Sequence, residues 1–583
     1  MDFYRRFPEL FRPYRRLVII SLAMVLINTP ATLLVPLLIE RVIDTGLSSG
    51  DLSLLLFYSL LIMAIAVVRA GASFVERFSS EKLSLLVTFD LRNNLYNHIQ
   101  YLSFTYHDFA QTGQLVSRGI EDVRSVRAFI GTSLPELIRV GLYLIGIGII
   151  LFIADARLAA IAMAPILFLL AMTTRFGMKV GKMFLAVDRA LGEISSRVQE
   201  NALGAMVVRA FSRQSYELER FGRANQELYE ARVNVIYEWS KIMPTGRVMV
   251  SLSVILVLWF GGLDVLAGEM TVGALVAFIG YILILAAPSQ QLAWHVNAAG
   301  EGQAGGQRIF QVLDEPFEIQ SPSHAIALPR LQGKVEFRQV TVHYSGQKIP
   351  AIQSIDITVQ PNEVIALIGA TGSGKTTLVN LIPRFYDATQ GAVLVDGYDV
   401  RDVELRSLRR QIGIVPQSSR LFSVSVRENI AFGRPEAGFD KIVEAAKAAQ
   451  AHDFILGLPD GYDTVVGERG LTLSGGQRQR IAIARALLLD PSILLLDDST
   501  SSVDVETEAV IQSALRNLMA GRTTFVIAHR LSTVRRADRI LVMREGRIVQ
   551  EGSHAELIGT AGIYQEIYDL QLKNQEDVGV FSG

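Results

Sequence analysis

The chain has 583 residues, half of them hydrophobic and 19% charged, with a formal net charge of −1. That length exceeds one ordinary domain, and so little charge falls below the roughly 25% typical of soluble domains. The near-neutral balance argues against a nucleic-acid partner, and the absence of cysteine excludes disulfides, thiol catalysis and thiolate metal sites.

The hydrophobicity is concentrated in the first half. Arg5, Arg6, Arg12, Arg15 and Arg16 precede a charge-free run from Leu17 to Ile39 that contains Pro30 and Pro36. Leu52 to Val68 is the next run. Val140 to Ala154 and Leu158 to Thr174 flank the turn Asp155-Ala156-Arg157, and Val248 to Leu263 and Val272 to Ala293 flank a loop with Asp264 and Glu269. A membrane span needs about 20 apolar residues as helix, so three hairpins, or six spans, are expected. Six such runs argue against the buried helices of a large soluble protein. The first run is long enough to remain as an anchor, and no removable signal peptide is expected.

The arginines before the first run place the N-terminus in the cytoplasm by the positive-inside bias. An even number of spans returns the C-terminal half to the same side, so a multi-pass protein of the inner (plasma) membrane is expected. Residues 70–135 and 175–245 are charged and helix-patterned, and read as spans prolonged into the cytoplasm. Few charges in the spans predict a cavity suited to amphipathic or lipid-like molecules. Gln290, Gln291 and Trp294, near the end of the sixth span, are candidate substrate contacts.

A Gly- and Ala-rich stretch, Ala298 to Gly306, and a Pro-containing one, Ser321 to His324, separate the halves. The expected organisation is an all-α membrane domain over residues 1–310, a linker over 311–332 and an α/β domain over 333–583. In the latter, Val335 to Val342, Ile352 to Val359, Val364 to Ile368, Ile493 to Leu496 and Thr524 to Ile527 read as strands.

Val364 to Ile368 runs into Gly369-Ala370-Thr371-Gly372-Ser373-Gly374-Lys375-Thr376. Strand, glycine loop and helix in that order make a P-loop: backbone N–H groups turn inward around phosphates, Lys375 reaches the β/γ-phosphates and Thr376 holds Mg²⁺. The helix opening that follows, including Thr377, adds its dipole. Ile493 to Asp497 is a second buried strand ending on a carboxylate, where a P-loop ATPase places its Mg²⁺-orienting Asp. Leu473-Ser474-Gly475-Gly476-Gln477 stands before the helix Arg478 to Leu489, where its N–H groups and the Ser474 hydroxyl can grip an anion.

This last pentapeptide resembles the signature of ABC ATPases, and the remaining pattern of that family follows in order. The resemblance implies that Ser474, Gly475, Gly476 and Gln477 close over ATP held by an opposite subunit. It gives Tyr344 the adenine-stacking role and Gln417 that of sensing Mg²⁺ and the membrane domain. It makes Ser501-Ser502-Val503-Asp504 the loop between the two sites, and His529 the γ-phosphate contact. Gly467-Glu468-Arg469-Gly470 is similar to the segment of exporters that meets the membrane-domain stalks. In the membrane half, Phe109 to Arg118 resembles the first coupling-helix region and Asn201 to Phe211 the second. The resemblance covers nearly the whole chain and is nearest to bacterial multidrug exporters, within them the heterodimeric members. It implies ATP and Mg²⁺ as cofactors, a second half-transporter as partner, and drugs or lipids as cargo.

One position departs from the family. An active site there carries Glu directly after the Mg²⁺-orienting Asp, and here Asp498 stands in that place. Asp and Glu have similar intrinsic pKa values, so reach decides. One methylene withdraws the carboxylate by roughly 1.5 Å. A base must lie within about 2.6–3.2 Å of the proton it takes, and a misplacement of about 1 Å can cost 10²-fold. The expectation is a hydrolytically weak site of Asp498, His529 and Gln417, with an intact signature donated to a non-identical partner. A homodimeric exporter with two slow sites and an ATP-gated membrane regulator or channel are the alternatives. An importer is disfavoured because its membrane domains usually come as separate chains.

Overall fold

The computed structural model describes residues 2–344, 346–347, 349–417, 419–467, 470, 473–497, 505–528 and 530–572. The chain divides into two compact units, Met1–Tyr101 with Gln111–Glu315, and Leu102–Ala110 with Pro316–Gly583.

The first unit is all-α. Six helical stretches, Pro8–Leu47, Leu52–Tyr101, Thr112–Ala154, Ala156–Leu203, Gln214–Leu266 and Val272–Leu313, hold 40 to 53 residues each. At 1.5 Å per residue even the shortest spans about 60 Å, twice the roughly 30 Å hydrocarbon core of a bilayer. The spans and their expected cytoplasmic prolongations are therefore continuous helices. In the second stretch none of the most apolar window is buried within the chain; Phe57, Leu60, Met63 and Val67 all face outward. A soluble core helix would hide such a surface, whereas lipid accepts it.

Polar groups close the hairpin ends. Asp155 caps the fourth helix by accepting from the Leu158 N–H at 2.9 Å. Arg157 donates to Asp264 at 2.6 Å, tying the start of the fourth span to the end of the fifth. Tyr281 donates its hydroxyl to the Leu33 carbonyl at 2.8 Å, joining spans six and one. Around it Ile147, Leu151, Leu158, Ile166, Leu169, Ile282 and Leu285 form the buried centre of the unit. The fourth and fifth helices stay paired along their cytoplasmic length: Phe176 meets Trp239 edge-on at 5.1 Å, with Val180, Val187, Leu228 and Val235 buried alongside. Their hairpin turns through the short helix Ala205–Ala210, where Leu203, Met206, Val207 and Phe211 are 60% to 83% exposed.

The second unit has two sheets. In the four-stranded one, β1 (Val335–Val342), β2 (Ile352–Val359), β4 (Gln390–Val395) and β5 (Tyr398–Asp399) run in the order β2-β1-β4-β5. The other comprises β3 (Val364–Ile368), β6 (Ile412–Val415), β7 (Ile493–Asp497), β8 (Thr523–Ile527), β9 (Arg539–Arg544) and β10 (Arg547–Gly552), ordered β10-β9-β3-β8-β7-β6. All its neighbours are parallel except β10 on β9. One core lies between the sheets, around Phe337, Ile365, Leu367, Leu495 and Phe525. The other lies under the helices Val426–Ala431, Phe439–Ala448 and Gly475–Leu489, around Ile430, Ile481, Leu494 and Val526. A sheet buried on both faces explains the unbroken apolar runs Val364–Ile368 in β3, Ile493–Leu496 in β7 and Phe525–Ile527 in β8.

Candidate functional site

Three neighbouring parallel strands, β3, β8 and β7, end at one edge of the larger sheet. Ligands of open α/β sheets bind outside such carboxyl ends. Here β3 delivers the loop Gly369–Gly374, β7 delivers Asp497, and β8 leads through Ala528, whose N–H bonds the Leu367 carbonyl at 3.1 Å, towards His529. His529, Asp498 to Asp504, Glu468 and Arg469 lie outside the described residues.

The loop geometry demands its glycines. Gly369 has φ +150°, and a Cβ there would meet the Met543 carbonyl oxygen at 2.2 Å. Gly374, at φ +101°, would meet the Ala351 oxygen at 2.5 Å. Gly372, Ala370, Thr371 and Ser373 complete the curl, which the Ser373 N–H closes on the Ala370 carbonyl at 3.1 Å. The helix Lys375–Leu381 begins directly after it. Lys375 is only 7% exposed, and its ammonium donates to the carbonyls of Gly369 at 2.7 Å and Ala370 at 2.8 Å. Burial holds its pKa below the ordinary lysine value, partly opposed by the charge of Asp497. A buried cation solvated mainly by neutral carbonyls is a site short of negative charge.

Thr376 faces solvent beside this loop, whereas Thr377 is buried. The Thr377 and Tyr344 hydroxyls share a hydrogen bond at 3.0 Å, which fixes the Tyr344 ring just beyond β1. Gln417 follows β6 and is exposed. Among the described residues no three His, Cys, Asp or Glu side chains cluster. Asp497 ends β7 at the edge of the sheet where β3 delivers the glycine loop.

Ser474 caps the helix Gly475–Leu489 in a reciprocal box: its hydroxyl accepts from the Gln477 N–H at 3.3 Å, and the Gln477 side chain accepts from the Ser474 N–H at 2.9 Å. Ser474 and Gly475 are exposed, Gly476 is buried, and a Cβ on Gly475 would meet nothing closer than 4.0 Å. The first turn of this 15-residue helix thus opens to solvent, as an anion site requires.

Two features were not apparent in the sequence. The segment that clusters with the second unit is Leu102–Ala110, upstream of most of the expected Phe109 to Arg118 region; the helix Thr112–Ser117 belongs to the first unit. There Phe104 packs on Phe385 with ring centroids 4.4 Å apart, and Tyr386 donates to Asp108 at 2.7 Å. The aromatic pair in Arg384-Phe385-Tyr386-Asp387 was the available signal. In the first unit, an open cavity of about 410 Å³ is lined by Asn28, Arg69, Ser73, Arg139 and Tyr143. Arg139 pairs with the buried Glu76 and, at 2.6 Å, with Glu136. Nε of Arg69 is buried without a partner. This cavity is bordered by charge, which the sequence carries as Arg69 just after the second apolar run and Arg139 just before the third.

Comparison with known proteins agrees with this architecture. Residues 18–289 match the family described as ABC transporter transmembrane region, and residues 352–501 that described as ABC transporter. The chain is 37% identical to the ABC transporter ATP-binding protein YknU of Bacillus subtilis, over 98% of each chain. It is 38% identical to the ATP-dependent lipid A-core flippase of Syntrophus aciditrophicus, over 99% of this chain and 96% of that one. The fold superposes with a TM-score of 0.80 on a bacterial Atm1-family ABC exporter with ATP bound, at 29% identity, covering 96% of this chain and 98% of that one. The chain belongs to the ABC transporter family: it is an exporter half-transporter, with six membrane-spanning helices and a cytoplasmic ATP-binding domain in one polypeptide.

Proposed function

We propose that this chain is one subunit of an ATP-driven exporter for amphipathic compounds, drugs or lipids, working with a non-identical partner. The observation that carries the reading is Lys375, buried in the Gly369–Gly374 loop with its ammonium on two neutral carbonyls and the charge of Asp497 only partly opposing the effect of burial. A triphosphate supplies that missing negative charge, and the loop N–H groups and helix start line the same place. The ring of Tyr344 takes the adenine. Thr376, Gln417 and Asp497 offer the hard oxygen donors that Mg²⁺ prefers. Bound there, Mg²⁺ would neutralise charge on the β- and γ-phosphates. The functional divisions proposed are residues 1–310, 311–332 and 333–583.

His529 contacts the γ-phosphate, and Asp498, short by one methylene, positions water poorly. ATP on this chain then serves mainly to hold two subunits together. Ser474, Gly475, Gly476 and Gln477 close over the partner's ATP, where donors aimed at developing charge lower the barrier. The exposed apolar ridge of Leu203, Met206, Val207 and Phe211 supplies a surface for docking on a second half-transporter. The cavity lined by Arg69 and Arg139 supports an amphipathic cargo with a negatively charged group, because cations on membrane helices mark substrate or ion paths. The Syntrophus relative is named as an ATP-dependent lipid A-core flippase.

The test is to purify the transporter from its native membrane and weigh the subunits. Two distinct chains, with ATP-dependent uptake of a labelled amphipath into inverted vesicles, support the reading. A single chain species that transports points to the homodimer, and nucleotide-gated flux without vectorial uptake points to the channel.

A further inference from the structure

Along their cytoplasmic lengths the fourth and fifth helices part around a cleft of about 760 Å³. Arg189, Glu193 and Arg197 stand one helical turn apart and share a face of the fourth helix. Tyr216, Arg220, Arg223 and Glu227 repeat that spacing on the fifth. Ala190 and Ala224 also line the gap and are too small to fill it. On one side Val187 and Leu228 pack the helices together. Towards the hairpin Asn201 donates to Glu217 at 3.0 Å and ties them again. Arg189 to Arg197 stand roughly 50–60 Å along the fourth helix from Ala156, at about 1.5 Å per residue. A bilayer with its headgroups is about 40–45 Å thick, so the cleft lies in the cytoplasm and only soluble species reach it.

The cleft has more donors than acceptors. Each guanidinium carries a fork of N–H donors and no acceptor. Arg197 bonds Glu193 at 2.6 Å, but its Nε is buried without a partner. Arg220 pairs with Glu217 at 3.0 Å and lies over the Tyr216 ring at 5.7 Å. Arg189 and Arg223 have no ion pair or hydrogen bond among the described residues. A buried donor left unmet costs free energy that an acceptor recovers. An exposed ion pair within one helix contributes little, so an anion can take Arg197 from Glu193 at small cost.

We propose that this cleft is a binding site for a soluble oligophosphate, whose chain runs along the fourth helix from Arg189 to Arg197 and is gripped from the fifth by Arg223 and Arg220. Guanidinium forks match phosphate oxygens two at a time. Arg189 and Arg197 are about 12 Å apart along the axis, too far for one phosphate and within reach of a short chain. Glu193 and Glu227 repel a weakly charged anion, so only one with several charges gains by entering. The volume falls in the range of small-ligand sites. Bound there, the chain ties the two helices together between their apolar contacts and their hairpin, and the stalk stiffens in response to a cytoplasmic anion.

The experiment is hydrogen exchange on the full chain in lipid nanodiscs, carrying Lys375→Ala to weaken binding at the glycine loop, with inorganic tripolyphosphate and no Mg²⁺. Tripolyphosphate should slow exchange at residues 186–200 and 216–231 by about threefold or more, saturably and with one ligand per chain, since exchange reports local opening. Orthophosphate at the same concentration should slow it by less than about 1.5-fold. Arg189→Ala with Arg223→Ala, both on exposed side chains, should weaken the effect at least about tenfold, as losing charge-assisted bonds does. If ATP protects these segments better than tripolyphosphate, and Tyr216→Ala removes the advantage, the ligand is a nucleotide. Protection by ATP no better than by tripolyphosphate assigns the site to the phosphate chain alone. No protection in the Lys375→Ala chain, uptake that does not saturate, or undiminished protection in the double arginine variant overturns the proposal.

Discussion

The carboxylate of Asp44, at the outer end of the first span, accepts from the Gly273 N–H at 2.8 Å and the Thr271 hydroxyl at 2.5 Å, at the start of the sixth. It fills the space a side chain at Gly273 would occupy, since a Cβ there would lie 2.5 Å from Asp44. Asp44→Ala should cost about 1 kcal/mol, as losing a helix cap does. Gly273→Ala should destabilise the wild type but much less the Asp44→Ala variant, because contacting residues are non-additive. Thermal unfolding of the four proteins in one detergent measures this; equal effects of Gly273→Ala in both backgrounds would show that the two residues act independently.

At the nucleotide, Lys375→Ala should weaken binding of a labelled ATP analogue by tenfold or more, about 1.4 kcal/mol. Tyr344→Ala should weaken ATP but leave tripolyphosphate unaffected. Parallel loss for both ligands would assign Tyr344 a structural role through Thr377.

The asymmetric assembly makes a ranking testable by steady-state ATPase assay. Asp498→Asn should leave more than half the turnover of the assembled transporter. Ser474→Arg or Gly475→Asp should remove nearly all of it, since losing one transition-state donor alone costs about 10²–10³-fold. Abolition by Asp498→Asn in a preparation of this chain alone would favour two identical, competent sites.

Within the membrane unit, Glu76 is 3% exposed and Arg139 is its salt-bridge partner. Arg139→Met strands that carboxylate, and breaking a buried pair costs about 3–5 kcal/mol. Adding Glu76→Leu should recover most of the loss. Denaturation midpoints check it: a double variant no better than Arg139→Met would refute the pairing.

His554 bonds Tyr564 between two short C-terminal helices. Burial, and then Arg535, hold the imidazole pKa below the ordinary histidine value. Burial lifts Tyr564 to about 12, so its hydroxyl donates and the neutral imidazole accepts. A depressed folded-state pKa means the unfolded form binds the proton more readily. The docking is then fully present above the unfolded value of about 6.5 and weakens as pH falls through the lower folded one. The protection of amides 554–567, taken relative to the intrinsic exchange rate at each pH, should fall from about pH 7 to pH 5, and His554→Gln should flatten the profile.

Much of this molecule was legible in its sequence because the strongest signals are local. A charge-free run such as Leu17 to Ile39 states its own requirement for lipid. The P-loop glycines are demanded by backbone angles that neighbours cannot change, and β1, β2 and β3 follow from apolar runs closed by turns. What stayed hidden depends on distant partners. Phe104 reads as an ordinary aromatic until Phe385 lies against it. Arg139 reads as the charged edge of a span until Glu76 meets it from another helix. The strands β4, β5, β6, β9 and β10 are short or carry charged ends, and only their pairing identifies them.

The grouping of Leu102–Ala110 with the C-terminal unit bears on how the protein is made. Asp108 and its partner Tyr386 are 278 positions apart. At roughly 5–20 residues per second, a ribosome needs on the order of 15–55 s to deliver the second after the first. For that interval the short helix has emerged with its aromatic face uncovered, while the membrane hairpins around it are already inserting. Chaperones and proteases therefore meet this chain at residues 102–110 before any nucleotide can.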